Sequence, residues 1–339
     1  HRAAVGSRFA PPGHPGRRVS RIALVHSVSL LGKEVAERLA QRPDLCTDLR
    51  LYALDETMVG TLTAGLDGAA FVARVEEDCF ADADLTILCG EIELDRQALA
   101  LVPPGGRAIV ASHAATTDDG LPAVAGVEEF SWLGRDRLLA PSPAAVGLIR
   151  LLAPLRALGL RRAVATAILP VSERGAPAID ALFEESRALL ALARPAKPAI
   201  FPAQIAFNLL PGTFPGEEVA RQVEVALGLD GGGVLAVQTA QAGIFHAVTL
   251  SLQVELDRQI APAALRKLLG SSGAGTLAKR PAALGPVQAA GEEELLVGDV
   301  QAAGAHGFWI WATIDNLTVG GAGNIVRLAE QLLRPGAAS

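Results

Sequence analysis

The chain has 339 residues, half of them hydrophobic and 19% charged, with 30 Lys and Arg against 36 Asp and Glu for a formal net charge of −6. At roughly 150 residues per domain this is material for about two packed domains, with too little charge for a disordered chain. An acidic chain without a long basic run excludes the electrostatic footprint of a nucleic-acid binder and of a ligand for an anionic membrane surface.

Residues 1–20, rich in Arg, Pro and Gly, lack the apolar stretch of a signal peptide and read as a flexible tail. The apolar run Arg21–Val25 is expected to be a buried strand, and residues 32–40, apolar at 35, 36, 39 and 40, a helix. Strands follow at 49–54, 84–88 and 107–111, with a helix at 91–101 and a Pro-Gly turn between. Short apolar strands alternating with helices predict a doubly wound parallel sheet over residues 21–140. Residues 141–315 read as an α+β domain. Its helices are at 144–159, 177–193 and 262–269, and its strands at 162–170, 233–240, 246–256, 294–301 and 308–315. A last helix at 323–333 lies in a segment, 316–339, expected to return to the first domain. Cys46, Cys79 and Cys89 form no CxxC pair, so reduced thiols in a cytoplasmic protein are expected. No HExxH or Cys/His cluster suggests a metal, and no apolar run is long enough to span a membrane.

A dinucleotide site needs glycines between the first strand and first helix, where the backbone approaches the pyrophosphate. That turn reads His26-Ser-Val-Ser-Leu-Leu-Gly32, and only Gly32 remains. Ser27, Ser29 and a protonated His26 supply donors, while Val28 and Leu30 crowd the approach. Two readings stand: a plain strand-to-helix connection, or a vestigial site. Asp55 after the second strand suits a ribose hydroxyl and repels a 2′-phosphate, which favours NAD over NADP; with Glu56 it also reads as two solvated acids. Cys89-Gly90 ends the third expected strand at the carboxyl edge, where ligands of such sheets sit, but Cys89 reads first as a small buried core thiol. Other polar groups expected at strand ends are Glu91, Ser112, His113, Ser142 and the pair Glu173–Arg174, read as a solvated helix entry. The glycine-rich stretches 231–233 and 270–275 lack the Lys-Ser/Thr of a P-loop and read as loops.

The stretches Gly32-Lys-Glu-Val, Ile205-Ala-Phe-Asn-Leu-Leu-Pro211, Val297-Gly298 and the run from Trp311 to Asn324, with Asp315-Asn316-Leu317 at its centre, resemble the aspartate-semialdehyde dehydrogenase family from residue 21 onward. The resemblance implies a Rossmann-type NAD(P)-binding domain, an α+β dimerisation domain and a last helix that docks back on the first. It also implies acyl transfer through a cysteine at a helix start: a thiolate attacks the aldehyde, hydride leaves to the nicotinamide, and phosphate splits the thioester.

The family's positions are not filled by the family's groups. The Asn-Pro-Asn-Cys motif corresponds to Ala140-Pro-Ser-Pro143, so Pro143 stands in the nucleophile position, as N1 of a helix capped by Ser142. Gln-Ala-Val-Ser-Gly corresponds to Leu169-Pro-Val-Ser-Glu173, with leucine for the substrate-orienting glutamine. In Arg-x-Pro-Val-x-x-Gly-His, anchored on Gly243, the substrate arginine becomes Val237 and the base histidine Ile244. His246, two residues on, is a displaced base or a half-buried strand histidine. The chain is most similar to the non-catalytic Usg-type members of the family, a pseudoenzyme. It is expected to form a homodimer through the second domain, whose strands carry apolar residues on two faces. A heterodimer with an authentic semialdehyde dehydrogenase is the alternative assembly. No cofactor is expected. NAD would bind weakly at best and NADP weakly or not at all, through what remains of a site at Ser27, Ser29, Gly32, Asp55, Gly90 and Asn324. The competing function is an NAD(P)-dependent oxidoreductase of another aldehyde or semialdehyde, acting through Ser142, His246 or Cys89.

Overall fold

The computed structural model describes residues 20–127, 132–229 and 233–334. The expected tail, apart from Ser20, and the glycines at 231 and 232 lie outside them. The first sheet holds β1 (Arg21–Val25), β2 (Asp48–Ala53), β5 (Ala73–Arg74), β6 (Leu85–Leu88), β7 (Ala108–Val110), β8 (Leu121–Pro122) and β9 (Arg137–Leu139), all parallel, in the order β5-β2-β1-β6-β7-β9-β8. Between β2 and β5 the chain makes a small hairpin, β3 (Leu62–Gly65) with β4 (Gly68–Phe71). Ile22 to Val25 are all buried, with no alternation, because helices cover both faces. On one face Ile22, Leu24 and Ile87 pack against Val35 and Leu39 of α1 (Leu30–Ala40) and Ile325 and Leu328 of α8 (Gly323–Leu333). On the other, Val25, Leu88 and Val110 meet Ala98 and Leu99 of α2 (Ile92–Leu99). The sheet grows outward in both directions from the β1/β6 boundary, its topological switch point.

The chain then enters α3 (Pro143–Leu152), which the sequence pattern extends to residue 159. Pro154 ends the α-helical hydrogen bonding, and residues Ala153–Leu158 form a 3₁₀ turn closed by left-handed Gly159. The second sheet is mixed. Its strands are β10 (Leu160–Leu169), β11 (Leu209–Pro211), β12 (Leu235–Ala242), β13 (Val248–Leu256), β14 (Thr276–Leu277), β15 (Leu296–Ala302) and β16 (Gly307–Ile314), ordered β11-β12-β10-β13-β16-β15-β14. Ala163, Ala165, Leu250, Leu252, Ile310 and Ala312 point to one side, into a core shared with α3, α5 (Gly216–Leu227) and α6 (Pro262–Ser271). Gly270 therefore closes a helix rather than opening a loop.

The opposite face differs from expectation. It is not uniformly apolar: Val164, Thr166, Ile168, Ser251 and Gln253 alternate with the core residues and are half-buried. Trp309 is 47% exposed, and Trp311 donates from Nε1 to the Leu284 carbonyl, 3.0 Å. Most of the exposed large apolar side chains of this half lie on α4 (Ala176–Leu190) and the chain after it: Phe183, Leu190, Leu192, Phe207 and Leu209. The short helix α7 (Pro286–Ala289) completes the set. No helix among the described residues is long and apolar enough to cross a membrane.

Candidate functional site

The carboxyl ends of β1, β6 and β7 face the start of α3 and the 3₁₀ turn Val171–Arg174 across a cleft of about 530 Å³. The start of α3 is built as the local sequence predicts. Ser142 is the N-cap, its Oγ accepting from Ala145 N at 3.4 Å, and Pro143 occupies the first helical turn, where a missing N–H costs nothing. Ser142 N is itself held by Gln222 Oε1 at 2.9 Å. Ser142 and Pro143 both line the cleft, and the serine hydroxyl there serves as the helix cap.

The phosphate-type turn is rebuilt around His26. This residue sits in the left-handed region, φ 60°, a conformation usual for glycine and tolerated by few side chains. Its imidazole packs onto Gly90, where a Cβ would strike the ring, and Nδ1 lies 2.6 Å from Asp95 Oδ1. Asp95 Oδ2 accepts from Gly90 N and from Ser112 Oγ, both at 2.6 Å. Three donors thus converge on one carboxylate with no solvent exposure, His26 turning Nδ1 toward it. His26 is 6% exposed and its Nε2 has no partner. Asp95 escaped the sequence reading. Its one signal is an acid on the inward face of α2, in register with Ala98 and Leu99; its partner is 69 residues away.

The residues expected at a dinucleotide site are mostly committed to the protein. Ser29 caps α1, accepting from Gly32 N at 2.9 Å, and donates to the Cys89 carbonyl at 2.7 Å. Gly32 is needed because a Cβ would collide with the His26 carbonyl. Ser27 is fully buried, its hydroxyl unpaired, and lies outside the cleft lining. Gly90 makes room for His26. Asp55 lines the cleft with Oδ1 bonded to Thr57 N and Oγ1, at 2.9 and 2.7 Å, which holds its carboxyl below the usual range. Asn324 is buried in α8 and outside the cleft lining, with Oδ1 accepting from Ala125 N at 2.9 Å and Nδ2 donating to the Ala123 carbonyl at 3.1 Å. The His26 ring thus lies against Gly90 at the switch point of the sheet, where ligands of such sheets sit.

Of the four family positions only Pro143 reaches the cleft lining. Leu169 ends β10 buried, its carbonyl bonded by Gln241 Nε2 at 3.0 Å. Val237 lies half-buried in the middle of β12, paired with Ala165. Ile244 is in the turn before β13, its carbonyl accepting from Val171 N at 2.9 Å. His246 is also in that turn and not on the strand, and it does not line the cleft. Cys89 lines the cleft but is a buried thiol, and burial pushes it well above its ordinary range, away from the reactive thiolate.

Glu173 and Arg174 are not the solvated pair expected. Both line the cleft. Glu173 Oε1 is out of contact with solvent and unpaired, and burial pushes the carboxyl up to about 8. Arg174 stands over the Phe201 ring, 5.7 Å from its centroid, with no ion pair or hydrogen bond among the described residues. Burial, followed by the Arg174 charge, lowers His113 against an upward pull from Glu91. No group of three or more His, Cys, Asp or Glu able to hold a metal occurs among the described residues.

Residues 152–319 match the model of the semialdehyde dehydrogenase dimerisation domain. The chain is 30% identical to a USG-1 protein homologue of Azotobacter vinelandii, over 93% of this chain and 98% of that one. It is 23% identical to an aspartate-semialdehyde dehydrogenase of Aquifex aeolicus over 93% and 98% of the two. A probable aspartate-semialdehyde dehydrogenase from Pseudomonas aeruginosa superposes with a TM-score of 0.82 at 25% identity, covering 94% of this chain and 99% of that structure.

Proposed function

The chain belongs to the aspartate-semialdehyde dehydrogenase family, and from that premise we propose that it is a non-catalytic member, a homodimeric binding protein on a dehydrogenase scaffold. The observation that carries this is the start of α3: at the mouth of the cleft, where the resemblance places a thiolate, stands a proline behind a serine whose oxygen is spent on the helix end. An acyl-transfer cycle needs a nucleophile, a base beside it and a substrate anchor. Pro143, Ile244 and Val237 supply none of these. The alternative oxidoreductase loses support in the same geometry, since Ser142 is a cap, Cys89 a buried thiol and His246 outside the lining.

The residues present do not fit a dinucleotide. The His26 ring on Gly90 and the bonded hydroxyl of Ser29 support a site that takes NAD at best weakly, and ionised Asp55 opposes the 2′-phosphate of NADP. The exposed apolar side chains of α4 and the segment after it, with Trp309, support a self-complementary two-fold contact through the second sheet's half of the molecule. That surface would equally admit a catalytic relative as partner. Three free thiols support a reducing compartment such as the cytoplasm.

Purified protein is expected to show no phosphate-dependent oxidation of aspartate semialdehyde, and Pro143→Cys alone is expected to leave it inactive. Turnover above the no-protein control would overturn the reading, and rescue by the single variant would show that Val237 and Ile244 are not the positions they are taken for. Sedimentation is expected to give a dimer, and a clean 35 kDa monomer at micromolar concentration would remove the assembly.

A further inference from the structure

We infer that the cleft is a receptor site for a hydroxycarboxylate with an aliphatic body, its carboxylate held by Arg174 and its hydroxyl hydrogen-bonded to His26 Nε2. The inference rests on reading the cleft as a binding site and not as a dehydrogenase centre. Three polar groups in its lining have no partner among the described residues: His26 Nε2, Glu173 Oε1 and the Arg174 guanidinium. A buried polar atom left unpaired, as His26 Nε2 and Glu173 Oε1 are, is destabilising, and a ligand making the missing bond removes that cost.

The chemistry of each group narrows the ligand. Arg174 is the only lysine or arginine among the lining residues, so the cleft offers one fixed positive charge. Its planar fork matches a carboxylate through two parallel hydrogen bonds. A phosphate dianion would face a single compensating cation together with Asp55 and Glu91, which also line the cleft. The Phe201 ring beneath Arg174 fixes the guanidinium without spending its N–H donors. His26 turns Nδ1 to Asp95, so its Nε2 is left for the ligand, and a hydroxyl, donor and acceptor at once, pairs with it whether or not the ring is charged. Leu31, Met58, Leu94 and Phe214 give the walls an apolar surface for the hydrocarbon between and beyond these groups.

Glu173 sets the charge the ligand meets. With its carboxyl pushed up to about 8 by burial, it is uncharged at neutral pH and turns anionic in alkali, opposing a carboxylate. The other titratable groups facing the cleft are His26, Asp55, Cys89, Glu91 and His113. Of these, Asp55 is held low by Thr57, burial lowers His113 and burial raises Cys89.

The test is calorimetric titration of the full chain with 3-hydroxybutyrate, 4-hydroxybutyrate and 3-hydroxyhexanoate, each against its deoxy counterpart, butyrate or hexanoate. At least one hydroxy acid is expected to bind, roughly fivefold or more tighter than its counterpart. Arg174→Gln should weaken binding about tenfold or more. Arg161→Gln, on the exposed edge where Arg161 pairs with Asp257, should change nothing, and Arg174→Lys should retain part of the affinity. Affinity should fall above about pH 8 in the parent and not in Glu173→Gln. No binding at about 10 mM, hydroxy and deoxy acids binding equally, or a folded Arg174→Gln binding like the parent would each overturn the inference. Semialdehyde turnover with hydroxy-acid binding intact would break the non-catalytic reading alone. A silent enzyme assay without binding would break this inference alone.

Discussion

Two stretches border the same cleft and relate to the family pattern in opposite ways. The turn at residues 26–32 departs from it, while the segment at 315–324 matches it. The difference lies in what the side chains hold. Asp315 Oδ1 accepts from Leu317 N and Thr318 N, and Oδ2 from Gly291 N, all at 2.8 Å. Asn316 Oδ1 accepts from Ala247 N at 2.9 Å while Nδ2 donates to Ser172 Oγ at 3.0 Å, and Asn324 ties α8 to Ala123 and Ala125. These acceptors and donors serve the chain's own backbone, so the fold needs them whatever the cleft binds. In the turn, the glycines of a dinucleotide site would serve a ligand. Here the turn carries His26 and Ser29, whose bonds run to Asp95, Gly32 and Cys89. The polar groups at 315–324 bind the protein to itself, and those of the 26–32 turn are likewise bonded within the protein.

The strongest way to break this contrast is Asp315→Ala. It leaves three backbone N–H groups without an acceptor in a site 4% exposed, an expected loss of about 4 kcal/mol in urea unfolding. A loss below about 1 kcal/mol would mean the segment matches the family for some reason other than structure.

Glu173→Gln sharpens the cleft side. The folded-state carboxyl titrates near 8 against an ordinary value of 4.5, so between those pH values the unfolded chain has released a proton that the folded chain keeps. Stability therefore declines as pH rises from about 4.5 to about 8 and levels off beyond. The decline from this one group is about 3–5 kcal/mol, and the glutamine variant should lack it in paired melts at acid and alkaline pH. Identical pH profiles would place the Glu173 carboxyl in water. The smallest expected effect is calorimetric: NADP injected into the parent protein should give no more than dilution heat, and micromolar affinity would contradict both the His26 obstruction and the Asp55 repulsion.

The parts of this molecule legible in the sequence were those decided within a few residues. The strand at Arg21–Val25, the last helix at Gly323–Leu333 and the Ser142–Pro143 cap follow from local apolar runs and capping chemistry, and the structure places them as expected. Helix α5 was missed: its start at Pro215-Gly216 reads as a turn, and its inward face includes Gln222, an amide that bonds Ser142 N and the Ala115 carbonyl. The β3–β4 hairpin was missed because Ala and Gly give it little apolar alternation. At the site, Pro143 could be read directly. The His26–Asp95–Ser112 network and the burial of Glu173 could not, since they are made by strands and turns brought together from distant parts of the chain.

The position of α8 bears on the order in which the protein can be made. Ile325, Leu328 and Leu332 fill the core beside β1 and α1, Arg107 donates to the Leu332 carbonyl, and Arg42 reaches Glu330. The first domain to leave the ribosome is thus missing one wall until the last helix emerges, some three hundred residues after β1. Domains commonly fold as units during synthesis, N-terminal first. Here the nascent first sheet must wait with an apolar flank open while the entire second domain is translated. That interval is the period in which a chaperone, or a second nascent chain, would find its opening.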